Sequence, residues 1–287
     1  MNVLYHYCPT DAFHSIVENH AVWLSSLSLS NDTMEGKLVA SIFARLAKRD
    51  GLDHATSQRL QEMLSFFEQI VDGLGFCLSE EGDLLSQWRG YAADATGISI
   101  GFSKQYLDLL AEESHGQDTS GFTVMRVQYE SQAHETEVGP TYDEAKRLIE
   151  AGAFKSPEIR HLIDLRTDQE VEQETKETEK ARSVLALTML MLFPKLFLLK
   201  SPAFREEKEW RLLSYFVRSA KEVSSYRTLG DRLIPYRSYQ LLHLERQPVV
   251  EVVLGPKHLT PVRVIEDFLK QSGFGTVQVR RSEASYR

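Results

Sequence analysis

The stretch Phe204-Arg205-Glu206-Glu207-Lys208-Glu209-Trp210-Arg211-Leu212-Leu213-Ser214-Tyr215-Phe216 passes without a break from a dense charge cluster into an apolar, aromatic strand. Side chains alternate along a strand, so Glu207, Glu209 and Arg211 are expected on one face and Lys208, Trp210 and Leu212 on the other. Two carboxylates then stand beside a guanidinium. On a concave, partly dry face the like charges raise one carboxylate pKa and Arg211 opposes the rise, which suits acid/base work or the stabilising of a developing cation. On an open face the same residues make a solvated edge strand, and this segment taken alone favours that reading.

The 287 residues, 42% hydrophobic and 10% aromatic, are enough for a substantial core, and one domain over 1–287 is expected, with helical insertions near 37–72 and 142–200. A net charge of −8 argues against a chain held on nucleic acid or an anionic membrane by bulk electrostatics. Nucleic acid stays open as a substrate. Two cysteines, Cys8 and Cys77, are too few for a disulfide framework or a structural zinc site, and the segment Met1 to Tyr7 lacks the pattern of a signal peptide. A soluble, cytoplasmic protein without membrane partners is the expectation. The most apolar run, Val184 to Leu199, is interrupted by Pro194 and Lys195 and reads as a buried helix with a break.

Along the chain, Val3 to Tyr7 reads as a strand, followed by a helix capped by Thr10 or Asp11 with Phe13, Ile16 and Val17 on one face. A strand at Ala21 to Leu24 leads to the loop Asn31-Asp32-Thr33-Met34-Glu35-Gly36, where Asp32 and Glu35 have capping-box spacing. Helices are expected at Lys37 to Lys48 and Ser57 to Val71, then a strand at Gly75 to Ser79. Asp83 to Tyr91 reads as a short helix ended by glycine, in which Arg89 between Trp88 and Tyr91 forms either a cradle for a phosphate and a flat ring or a packed helix face. Gly97 to Phe102 is a buried strand whose glycines allow close backbone approach, followed by a helix at Lys104 to Glu112 and a strand at Phe122 to Tyr129. Tyr142 to Lys200 is helical in composition, with Gln169 to Arg182 solvated. A strand at Val249 to Leu254, the turn Gly255-Pro256, a helix from Pro261 to Gln271 capped by Thr260 and a strand at Thr276 to Arg280 close the chain. Strands and helices alternate irregularly, so the expected class is α+β with a split or mixed sheet.

No P-loop, Rossmann glycine pattern, HExxH, CxxC or GxSxG occurs, and His6, His14 and His20 are spaced too loosely for a metal site. The blocks Leu4-Tyr5-His6-Tyr7, Trp23-Leu24-Ser25-Ser26, Asn31-Asp32-x-x-Glu35, Trp88-x-x-Tyr91 with Gly97 to Phe102, Glu207 to Arg211, and Gly255-Pro256 together resemble a bacterial family of unknown function found in mobile and phage-defence contexts. Many of its members carry Pro at the position of Thr33 and Lys at that of His6. The order of blocks is also similar to the ADP-ribosyltransferase fold. That resemblance implies that NAD is the substrate, with His6 on a ribose, Trp23 or Tyr7 stacked on nicotinamide, Ser25 in support, Glu209 as the catalytic carboxylate and Glu207 positioning the acceptor. Asn31, Trp88, Tyr91 and Arg211 join the binding set, with Arg89 on the pyrophosphate. A toxin or defence effector with a protein, nucleotide or nucleic-acid acceptor, and an antitoxin or other defence partner, follow from the same resemblance. Two other readings stand beside it: a metal-dependent phosphodiesterase or nuclease with Asp32, Glu35, Glu207 and Glu209 as oxygen ligands, and a non-enzymatic sensor whose polar residues form a structural network.

Overall fold

A computed structural model of the chain describes residues 2–29, 37–115, 121–155, 167–217, 225–242 and 244–286. In chain order the elements are β1 (Val3–Cys8), α1 (Thr10–Glu18), β2 (Ala21–Ser26), α2 (Leu38–Arg49), α3 (His54–Ile70), β3 (Val71–Ser79), α4 (Leu85–Tyr91), β4 (Ile98–Ser103), α5 (Lys104–His115) and β5 (Thr123–Arg126). They continue with α6 (Ser131–Glu150), α7 (Asp168–Leu190), α8 (Phe193–Leu196), a 3-10 turn (Pro202–Glu207), β6 (Glu209–Val217), β7 (Ser225–Leu229), β8 (Arg232–Gln240), β9 (Val249–Leu254), α9 (Val262–Gln271) and β10 (Gln278–Arg281). Contacts group these residues into two compact units, one of 1–31, 72–127 and 203–287 and one of 32–71 and 128–202.

The first unit holds the sheet. Its strand order is β10-β9-β4-β1-β3-β2-β8-β7, with β6 joining β3 and β5 joining β6. The pair β9 and β10, linked through α9, is parallel, while β1–β4, β4–β9, β2–β8, β7–β8 and β5–β6 are antiparallel. The chain is therefore α+β with a mixed sheet, as its irregular alternation of elements predicts. Leu4, Cys8, Val22, Leu24, Leu74, Phe76, Leu78, Ile98, Ile100 and Phe102 turn to one face, where Phe13 and Val17 of α1, Leu107 and Leu110 of α5 and Leu269 of α9 complete the core. Alternation sends Tyr5 and Tyr7 to the opposite face, where Tyr7 packs with Trp88, Ala92, Ala95 and Val253. Along its length β1 pairs with β4 from Val3 to Cys8, but it meets β3 at the single pair Tyr5↔Ser79. The sheet is thus loosely joined between β1 and β3, where the side chain of His6 lies.

The second unit is helical. Val39, Ile42, Phe43 and Leu46 of α2, Leu60 and Leu64 of α3 and Val138, Tyr142, Ala145 and Leu148 of α6 are buried, and the Phe43 and Tyr142 rings meet edge to face at 5.5 Å. Asp50 after α2 accepts from Lys146 Nζ at 3.1 Å and from Arg49 Nε at 2.7 Å, and these contacts hold its pKa down at about 2. α7 opens with a capping box in which Thr167 and Glu170 satisfy each other's backbone N–H groups. Its first half is solvated as expected, but of the half expected to be core only Leu185 and Met189 are buried while Leu187 and Leu190 are exposed, and the helix stops at Leu190, ahead of Pro194.

Three local expectations are corrected, and one element is new. The helix expected from Tyr142 begins at Ser131 and carries Pro140 inside, because Val138, Tyr142, Ala145 and Leu148 form one buried stripe across the proline. The helix at 85–91 does not end at Gly90; it runs to Tyr91 and leaves through Ala93, Asp94 and Ala95 at φ 48°, 52° and 71°. Pro9 and Pro261, not Thr10 and Thr260, occupy the positions before α1 and α9, and neither helix has a side-chain cap. The hairpin β7–β8, absent from the sequence reading, turns through Gly230 at φ 60° and Asp231.

The β4 and β9 ends meet through glycine. Gly255 N–H donates to the Gly97 carbonyl at 3.0 Å, and a β-carbon would lie 2.3 Å from the Cys8 carbonyl oxygen at Gly97 and 2.4 Å from that of Ala95 at Gly255. Backbone cannot yield as a flexible side chain does. Gly97→Ala is expected to destabilise the fold by about 2 kcal/mol in urea denaturation, whereas Gly90→Ala, whose added β-carbon meets nothing within 4 Å, should be neutral or slightly stabilising.

Candidate functional site

β6 does not begin where the charge pattern puts it. Pro202–Glu207 is a 3-10 turn, and Lys208, at φ 42°, breaks the alternation before the strand starts at Glu209. The bend is held by the end of β3: the Glu80 N–H donates to the Lys208 carbonyl at 3.1 Å, Ser79 Oγ donates to the Glu207 carbonyl at 2.8 Å, and Lys208 Nζ meets Glu81 Oε1 at 2.5 Å. The expected face of Glu207, Glu209 and Arg211 is therefore corrected to Glu209 and Arg211 alone. Glu207 keeps solvent contact and accepts from the Tyr91 hydroxyl at 2.8 Å.

Glu209 and Arg211 are both buried, 5% and 2% exposed. Arg211 Nε donates to Glu209 Oε1 at 2.7 Å and Nη2 to Oε2 at 3.0 Å, a fork-to-fork pair that fixes the carboxylate in orientation as well as charge. Such a pair, removed from water, is costly to break: loss of one partner typically costs about 3–5 kcal/mol.

His6 stacks on Phe76 with ring centroids 4.0 Å apart, and its Nδ1 lies 2.8 Å from the Cys77 carbonyl oxygen. A carbonyl can only accept, so Nδ1 carries the proton and Nε2 is left as an acceptor. Burial drives the pKa down to about 4, with the Arg227 charge adding to the effect, so the ring is neutral at pH 7. Tyr7 is on the other face, and its hydroxyl donates to the Glu81 carbonyl at 2.8 Å and accepts from the Leu84 N–H at 2.9 Å. With its ring edge-on to Trp88 at 4.9 Å, Tyr7 anchors the 81–84 segment.

Of the two aromatics proposed for stacking, Trp23 has the exposure for it. The Trp23 ring lies on Tyr236 of β8 at 4.5 Å and 29°, both half-buried, and Ser25 pairs directly with Tyr236 across the β2–β8 ladder. Trp88 is fully buried with Nε1 donating to Asp83 at 2.7 Å, which makes it a packing residue and leaves no ring face for a ligand. Arg89 is exposed and its guanidinium is 5.8 Å from the Tyr286 ring, whose hydroxyl donates to Asp94 at 2.7 Å. Asn31, Asp32 and Glu35 lie outside the described residues.

Two residues of the site went unseen in the sequence. Tyr236 and Arg227 sit on the β7–β8 hairpin, and only its Gly230-Asp231 turn between β-type residues signals it. Glu207 and Glu209 take different partners, and among the described residues no three His, Cys, Asp or Glu side chains gather to hold a metal ion. No described helix is long and apolar enough to cross a membrane.

The depressed pKa of His6 fixes a sign. The unfolded chain takes up the His6 proton near pH 6.5 and the folded one only near 4, so the contribution of the neutral ring is full above 6.5 and is lost as pH falls toward 4. His6→Gln, which keeps a donor for the Cys77 carbonyl, should remove on the order of 2 kcal/mol of the stability loss measured by urea denaturation between pH 7 and pH 4.

Comparison with curated proteins and with solved structures returns no match. Residues 87–212 of the chain, from α4 to Leu212 of β6, match the model of the family described as Protein of unknown function (DUF2971), and Trp88, Tyr91, Gly97 to Phe102 and Glu207 to Arg211 all fall inside the match.

Proposed function

We propose that the chain is an ADP-ribosyltransferase that consumes NAD and transfers ADP-ribose to a protein, nucleotide or nucleic-acid acceptor, as the effector of a toxin or defence system. The observation that carries this reading is the buried Glu209–Arg211 pair. Cleavage of the nicotinamide–ribose bond builds oxocarbenium character on the ribose, and a carboxylate fixed by a guanidinium can accept a ribose hydroxyl and stabilise that charge without reorganising.

In the step proposed, the N-glycosidic bond breaks, its electron pair leaves with nicotinamide, which is thereby neutral, and the acceptor atom bonds to the ribose carbon. The proton of the acceptor passes to Glu207, which meets solvent and is oriented by the Tyr91 hydroxyl. Neutral His6 supports the reading too, because its bare Nε2 can accept a hydrogen bond from a hydroxyl of the second ribose. Trp23 supplies a ring for stacking.

Glu209→Gln should lower nicotinamide release from NAD by at least about a hundredfold. Gln leaves Arg211 without its counter-charge, so Glu209→Asp is the paired variant: it keeps the charge, draws the carboxylate back by one methylene, and should lose most of the turnover while circular dichroism stays unchanged. Full nicotinamide release by either variant would sink this assignment of Glu209.

A further inference from the structure

Arg227 stands on β7 directly opposite Ile234 of β8, which places it on the same face as Tyr236 two residues along. By the β2–β8 register that face also carries Ser25 and Trp23, and the Trp23 ring lies on Tyr236. Arg227 is half-buried, and its Nε is sealed from water with no hydrogen-bond partner. Burial lowers its pKa. The charge also reaches His6 and helps to keep that ring unprotonated. No carboxylate among the described residues forms an ion pair with Arg227, in a chain of net charge −8 whose buried Arg211 has Glu209 beside it.

A half-buried guanidinium with its Nε dry and no counter-charge gains when an anion meets its open side. The groups around it narrow the choice. Two stacked aromatic rings offer a surface for a flat ring, Ser25 offers a hydroxyl, and the guanidinium fork matches phosphate oxygens in geometry. We propose that Arg227 is the anion-binding residue of a nucleotide site, taking the phosphate of a ligand whose ring lies against the Trp23–Tyr236 stack. The site deepens the NAD reading by moving the pyrophosphate contact from Arg89, which is exposed beside Tyr286, to Arg227.

Calorimetric titration of the full chain with ADP, adenosine and inorganic pyrophosphate tests it, on the wild type, Arg227→Gln and Arg227→Lys. ADP should bind the wild type at least about tenfold tighter than adenosine or pyrophosphate alone. Arg227→Gln should reduce ADP to the level of adenosine and leave adenosine unchanged, with Arg227→Lys in between. The unliganded Arg227→Gln protein should melt no lower than the wild type, because the charge removed has no partner to lose. The proposal is overturned if Arg227→Gln binds ADP as the wild type does, if adenosine or pyrophosphate matches ADP, if no probe binds, or if unliganded Arg227→Gln melts well below the wild type. Nicotinamide release separates the two claims. ADP binding that depends on Arg227 without NAD turnover keeps this site and removes the transferase reading, and turnover with Arg227-independent binding does the reverse.

Discussion

A carboxylate and a guanidinium two residues apart on β6, both withdrawn from water and joined by two hydrogen bonds, are the constraint on which the rest of the structure depends. Desolvating two full charges is expensive, and only the fork-to-fork geometry and the surrounding packing make it tolerable. The strand must be held to its neighbours along its length. β5 does so on one side, and the bend at Lys208 is clamped to Ser79 and Glu80 at the end of β3. On the far side Arg237 of β8 donates to Ser214 Oγ and the Tyr215 carbonyl of β6, at 2.9 and 3.0 Å.

The same restraint positions the hairpin that bears Tyr236 and Arg227. β8 is tied on one face to β6 through Arg237, and the alternation of the strand then turns Tyr236 to the other face, onto Trp23. A sheet that meets only at Tyr5↔Ser79 between β1 and β3 leaves room there for His6, whose ring is held by Phe76 and the Cys77 carbonyl. Neutral imidazole, fixed carboxylate, stacked indole and uncompensated guanidinium are chemically distinct elements. Each has a part in the proposed handling of NAD.

Much of the fold was legible because it rests on periodicity. Phe13, Ile16 and Val17 mark the buried face of α1, the alternation at Val3 to Tyr7 marks β1, and the glycines at 97 and 255 mark a close approach of backbones. The face of Glu207, Glu209 and Arg211 was misread because period two holds only while the backbone stays extended, and Lys208 adopts φ 42°. Nothing local in Glu207-Lys208-Glu209 announces that reversal; it is imposed by hydrogen bonds to β3, over a hundred residues away in the chain. The sequence leaves Trp88 between two readings for a similar reason. An indole three residues from a tyrosine looks the same whether it faces a ligand or a core, and the choice is made by Tyr7 and Asp83. Arg227 escaped because its meaning lies in what is missing from its surroundings, and a sequence does not display missing partners.

The most direct test of the central claim is the melting temperature of the purified chain across a series of NAD concentrations. A ligand that binds only the folded state adds stability that grows with the logarithm of its concentration above Kd, about 2.7 kcal/mol at a hundredfold excess. The account predicts a rise of several degrees at millimolar NAD. An unchanged melting temperature across the whole series would contradict it.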